Sequence, residues 1–154
     1  MTPTFALLAL LLGVQGGADL PVLLLPPGQD AWVVRIMTTG GFTGRGAGSV
    51  TASSAGDVLC TLVGGCPERL VPETNRSLSM LITGLGRVEA SAGRPVTSGV
   101  CADCITTTMT VQRRDRQGEH TFDYTWDVTT VSTIPEDVVR LHGAITALTS
   151  TRSR

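Results

Sequence analysis

The strongest constraint on this chain is a pair of neighbouring segments with a two-residue period. Over residues 104–112, Ile105, Met109 and Val111 alternate with Thr106, Thr108 and Thr110. Over residues 119–128, Phe122, Tyr124 and Trp126 take one side, and Thr121, Asp123, Thr125 and Asp127 take the other. Successive side chains of a strand point to opposite faces, so each segment has one apolar and one polar face. A turn near Arg116-Gln117-Gly118 joins them into a hairpin. The expected result is an antiparallel sheet with one wet face.

Further strands precede this hairpin. In residues 32–38, Trp32, Val34 and Ile36 share a face, with Val33, Arg35 and Met37 opposite. Residues 48–53 and 57–63 form a second hairpin around Ser54-Ala55-Gly56, with Val50 and Ala52 facing the same way. A helix spans residues 72–85: Pro72 suits its first turn, and Leu78, Leu81, Ile82 and Leu85 recur at helical spacing. Residues 86–103 are a loop bearing Gly, Pro and Ser. The last helix opens at Thr133-Ile134-Pro135-Glu136, a capping-box pattern, with Glu136 and Asp137 placed to complement the helix dipole. Ile134, Val138, Leu141, Ile145 and Leu148 form its apolar stripe. The order β-β-β-α-β-β-α predicts an α+β fold: about five antiparallel strands with both helices packed on one face. The domain covers residues 32–149, and residues 150–154 form a frayed tail.

The start of the chain reads as an address. Residues 5–14 are a ten-residue apolar run, too short to span a bilayer but suited to a signal-peptide core. Gly16, Gly17 and Ala18 supply small residues for cleavage, so residues 1–18 are read as a signal peptide. Residues 19–31 then form a linker or an edge segment. The expected location is secreted or periplasmic, with no membrane anchor after cleavage. In an oxidising compartment the four cysteines, Cys60, Cys66, Cys101 and Cys104, are expected to form two disulfides. Three connectivities are open. Local pairing, Cys60–Cys66 and Cys101–Cys104, is preferred over a crossed arrangement joining the loops on either side of the first helix. A four-Cys zinc site fits poorly, because the first pair is separated by five residues.

Charge and motif searches narrow the function by elimination. The formal net charge is -1, with 12 Lys+Arg against 13 Asp+Glu, so the basic excess of a nucleic-acid binder is missing. The chain lacks a nucleophile elbow, an HExxH pair, a phosphate-binding loop and a dinucleotide fingerprint. Cys101-Ala102-Asp103-Cys104 leads into a strand rather than a helix, unlike a redox CxxC. His120 and His142 read as packed or surface residues, Asp123 and Asp127 as parts of a solvated sheet face, and Arg113, Arg114 and Arg116 as an exposed turn. Asn75-Arg76-Ser77 is a glycosylation sequon, relevant only in a eukaryotic secretory pathway. The expectation is a protein without enzymatic activity, cofactor or metal.

One element suggests a partner. The run Arg35-Ile36-Met37-Thr38-Thr39-Gly40-Gly41-Phe42-Thr43-Gly44 resembles the start of the emfourin family, small bacterial inhibitors of thermolysin-like metalloproteases such as protealysin. Asp103-Cys104 before the fourth strand and Ile134-Pro135 before the last helix extend the resemblance across about residues 32–149. It implies a binding domain whose partner is a secreted metalloprotease. It also points to Gly40, Gly41, Phe42, Thr43, Gly44 and Arg45 as the contact loop. On a purely structural reading, Gly40, Gly41 and Gly44 instead serve turns and Phe42 fills the core. The alternative function is a disulfide-stabilised envelope or extracellular module that binds through its Thr-rich sheet face.

Overall fold

The structure is a computed structural model, and it describes residues 23–40, 48–61, 65–85 and 104–150. The leader read over residues 1–18, the loop 86–103 and the last four residues lie outside these ranges.

The period-two segments become strands of one antiparallel sheet. They are β1 (Ala31–Thr39), β2 (Gly48–Ser53), β3 (Val58–Cys60), β4 (Thr106–Asp115) and β5 (Gly118–Trp126). Helix α1 (Pro72–Leu85) lies between β3 and β4, and α2 (Glu136–Ser150) ends the described chain. The strand order is β3-β2-β1-β4-β5, which puts the first strand in the centre. Ile36 stands opposite Val50 on one side and Met109 on the other, and Met109 opposes Tyr124. Apolar residues from four strands therefore fall in one cross-strand row on the same face. The expected α+β fold, with five strands and two helices, is the observed one.

Both helices cover that face. Leu78, Ile82 and Leu85 of α1 and Val138, Leu141 and Ile145 of α2 join Trp32, Val34, Val50, Met109, Val111 and Trp126 in one buried cluster. Burying each large aliphatic side chain stabilises by roughly 1.5–3 kcal/mol relative to leaving it exposed. A polar contact fixes α1 on the sheet: Trp32 Nε1 donates to Ser79 Oγ at 2.8 Å, and that hydroxyl donates to the Asn75 carbonyl at 2.9 Å.

Several boundaries differ from the sequence expectation for identifiable reasons. Residues 23–30 form no strand. Arg114 Nη1 instead ties this segment down through the Pro26 carbonyl at 3.0 Å. β5 stops at Trp126, so Asp127 leaves the strand. Asp127 is buried, not part of a solvated face, and it organises the turn into α2. Its Oδ1 accepts from the Thr129 amide at 2.8 Å, the Thr129 hydroxyl at 2.6 Å and the Thr130 amide at 3.0 Å. The capping box does not form. The Thr133 hydroxyl donates back to the Thr130 carbonyl at 2.7 Å, closing the short 3-10 turn Val131–Thr133. Ile134 is extended, as a residue before proline must be, and the Pro135 carbonyl accepts the first helical amides, those of Val138 and Val139. Ile105 precedes β4 and is exposed rather than part of the core face.

Candidate functional site

The loop singled out by sequence leaves the sheet at the end of its central strand. Gly40 follows β1 with φ +94°, a conformation that side chains rarely adopt. A Cβ there would collide with the backbone carbonyl of Cys104. Glycine at this point is thus fixed by close approach of two backbones as well as by the turn. Gly41, Phe42, Thr43, Gly44 and Arg45 lie outside the described residues. β2 resumes at Gly48, opposite Thr38.

Cys60 and Cys104 lie on either side of the base of this loop. β3 ends on Cys60, which pairs with Val50 and is bridged to Cys66. That is the local pairing preferred from sequence. Cys104 is also in a disulfide and approaches Gly40, while Cys101 lies outside the described residues. Thr61 reinforces the neighbouring strand end, its hydroxyl accepting from the Ser49 amide at 2.9 Å. Ile105, Val128 and Val131 belong to the same sheet end and are exposed.

The opposite end of the sheet carries the charged hairpin. Arg116 is exposed at the turn as expected, but Arg113 and Arg114 are not free. Arg113 is largely enclosed, sits 3.3 Å from Asp115 and donates to the carbonyls of Ile82 and Thr83 on α1. Its guanidinium lies 5.5 Å from the centre of the Phe122 ring, within cation–π range. Arg114 Nε donates to Glu119 Oε1 at 2.9 Å. His120 stacks on Phe122 and places Nε2 3.4 Å from Asp115 Oδ1, near enough for charge attraction but without a hydrogen bond. The Asp115 carboxyl is held below its ordinary range chiefly by the Gln117 backbone amide, helped by the nearby charges of His120 and Arg113. These groups clamp the hairpin to the end of α1. His142 packs edge-on against Trp126, with ring centres 5.2 Å apart, and burial lowers its pKa, favouring the neutral ring.

The glycosylation sequon is occupied structurally. Asn75 lies in α1, and its side-chain nitrogen donates to the Ser54 carbonyl at 3.0 Å. Asp123 and Asp127 do not form a dyad, since Asp123 accepts from Thr110 Oγ1 at 2.7 Å while Asp127 serves its own turn. Among the described residues there is no cluster of three metal-ligating side chains, and no helix is long and apolar enough to cross a membrane.

A cavity on the face of the sheet opposite α1 and α2 escaped the sequence reading. It holds about 210 Å³ and is lined in part by Leu23, Val33, Arg35, Thr51, Leu59 and Thr110. The available signal was Arg35, a lone charge in the middle of an otherwise hydrophobic strand. The chain matches no family model, no curated protein and no solved structure.

Proposed function

We propose that this chain is an exported, non-enzymatic binding domain that inhibits a secreted metalloprotease through the loop at residues 40–46. The observation that carries this reading is the construction of the loop base. It combines the left-handed Gly40 packed on the Cys104 backbone with disulfide-bonded cysteines at the end of β3 and just ahead of β4. A binding segment held in one conformation loses little entropy on association, so more of its contact energy appears as affinity. The exposed Ile105, Val128 and Val131 extend the surface available to a partner at that end. The GGFTG sequence supplies the resemblance to protease inhibitors.

The test is direct. The oxidised protein is titrated against thermolysin-like and other secreted proteases, with Phe42→Ala and Arg45→Ala as loop variants. Stoichiometric inhibition by the wild type, weakened about tenfold or more by a loop substitution, is expected for an interface anchor. Lack of inhibition at micromolar protein removes the inhibitor reading.

A further inference from the structure

The face of the sheet opposite α1 and α2 contains residues buried as deeply as the core. Val33 is 4% exposed and Thr51 is 8% exposed, although both point away from α1 and α2. They line the 210 Å³ cavity, and Leu23, from the segment ahead of β1, forms another part of its wall. Leu59 adds a further apolar surface.

One cross-strand row runs through it. Leu59 opposes Thr51, Thr51 opposes Arg35, Arg35 opposes Thr110, and Thr110 opposes Asp123. The Arg35 residue is half-buried, and its side chain has neither an ion pair nor a hydrogen bond among the described residues. The acid in its row, Asp123, accepts the Thr110 hydroxyl at 2.7 Å and makes no ion pair with Arg35. A partly desolvated guanidinium beside hydroxyl groups and aliphatic walls selects an anion with an apolar body. Arginine's paired N–H groups match a carboxylate in particular. A phosphate would present more charge than one arginine neutralises and would leave the Leu23, Val33 and Leu59 walls without a partner.

We propose that this cavity binds a short-chain monocarboxylate, with its carboxylate on Arg35 and its hydrocarbon chain against Leu23, Val33 and Leu59. The site is on a different part of the molecule from the 40–46 loop and stands or falls separately from protease inhibition.

The experiment is an NMR titration of the oxidised protein with hexanoate, using 1-hexanol and inorganic phosphate as comparators. Hexanoate is expected to shift the Arg35, Thr51 and Thr110 signals saturably and to give contacts between its terminal methyl and the Leu23 and Leu59 methyls. The alcohol and phosphate should bind at least tenfold more weakly. Arg35→Met should weaken hexanoate binding by about ten- to a hundred-fold, the range expected for a lost charge-assisted hydrogen bond. Arg35→Lys, which keeps the charge, should recover part of that loss. If Arg35→Met fails to fold, the wild-type comparison of acid with alcohol decides the matter. Equal binding of hexanoate and hexanol, shifts confined to another surface, or unchanged affinity in Arg35→Met would overturn the proposal.

Discussion

The two faces of the sheet are built from the same strands but held together differently. The helix-covered face is a continuous apolar layer, from Trp32 and Val34 through Met109 and Val111 to Leu141 and Ile145. The open face is stitched by hydroxyls: Thr108 to Thr125 at 3.3 Å, Thr110 to Asp123 at 2.7 Å and Ser49 to Thr61 at 3.2 Å. Burial of apolar area scales with every methylene removed from water, whereas an exposed hydrogen bond largely replaces one made to solvent. The covered face therefore carries most of the stability, and the open face is freer to vary. Val33 and Thr51, buried beside Arg35, are the departure from that pattern on the open face.

Four variants would break or sharpen this contrast. The largest effect belongs to Leu141→Ala, which empties a fully buried site between α2 and the sheet. It should cost about 2–5 kcal/mol, depending on how far the surroundings collapse. Equilibrium unfolding in urea measures it, and a loss below about 1 kcal/mol would mean that α2 is loosely docked.

Next comes the crosslink. Replacing Cys60 and Cys66 together by Ser opens a bridge between residues six apart in sequence. By the chain-entropy account, closing such a small ring contributes about 2 kcal/mol. Thermal unfolding should shift down while the far-ultraviolet circular dichroism stays native, because the buried cluster remains. Loss of the spectrum would show that the bridge is required for folding.

Asp127 tests the turn that leads from the sheet to α2. The hydroxyl of Thr129, above all, lowers its folded pKa below the ordinary aspartate value. A lowered folded pKa gives stability that is present above the unfolded pKa and is lost as pH falls through the folded one. The melting temperature of the wild type should thus drop below pH 4 more steeply than that of Asp127→Asn, which should already be less stable at pH 7. Parallel curves would remove Asp127 from its proposed role.

The smallest effect is expected on the open face. Thr108→Ala removes one hydroxyl from a partly buried Thr108–Thr125 contact. It should change stability by less than about 1 kcal/mol. A cost approaching that of Leu141→Ala would erase the distinction between the faces.

Element types were legible because period and composition agreed along most of the chain. Phe122, Tyr124 and Trp126 alternated without interruption, and Leu78, Ile82 and Leu85 kept helical spacing. The departures arose where one residue type serves several geometries. Asp127 continued the strand period by position, yet two following threonines supplied donors that turned it inward. Thr133 had the right spacing for a helix cap but found a nearer acceptor in its own turn. Arg113 read as surface charge, because its partners on α1 are carbonyls roughly 30 residues away, which no local pattern reveals. The cavity was hidden for the same reason: it requires Leu23, Arg35, Leu59 and Thr110 to meet from four separate segments.

The central position of β1 sets an order for assembly. Its partner β2 follows within a few residues, but its other partner, β4, pairs Ala31 with Arg114 and Thr39 with Thr106. Long-range pairing of this kind pays a large loop-closure cost and is slow relative to local hairpin formation. A chain emerging amino terminus first can form β1, β2 and β3 well before β4 exists. During that interval the middle of the future sheet is an unpaired edge, and the hydrophobic run Trp32-Val33-Val34 lies along it. Such an edge can recruit a strand from another molecule. The length of time before the distant hairpin arrives therefore governs whether a newly made chain completes its own sheet or is captured by a neighbour's.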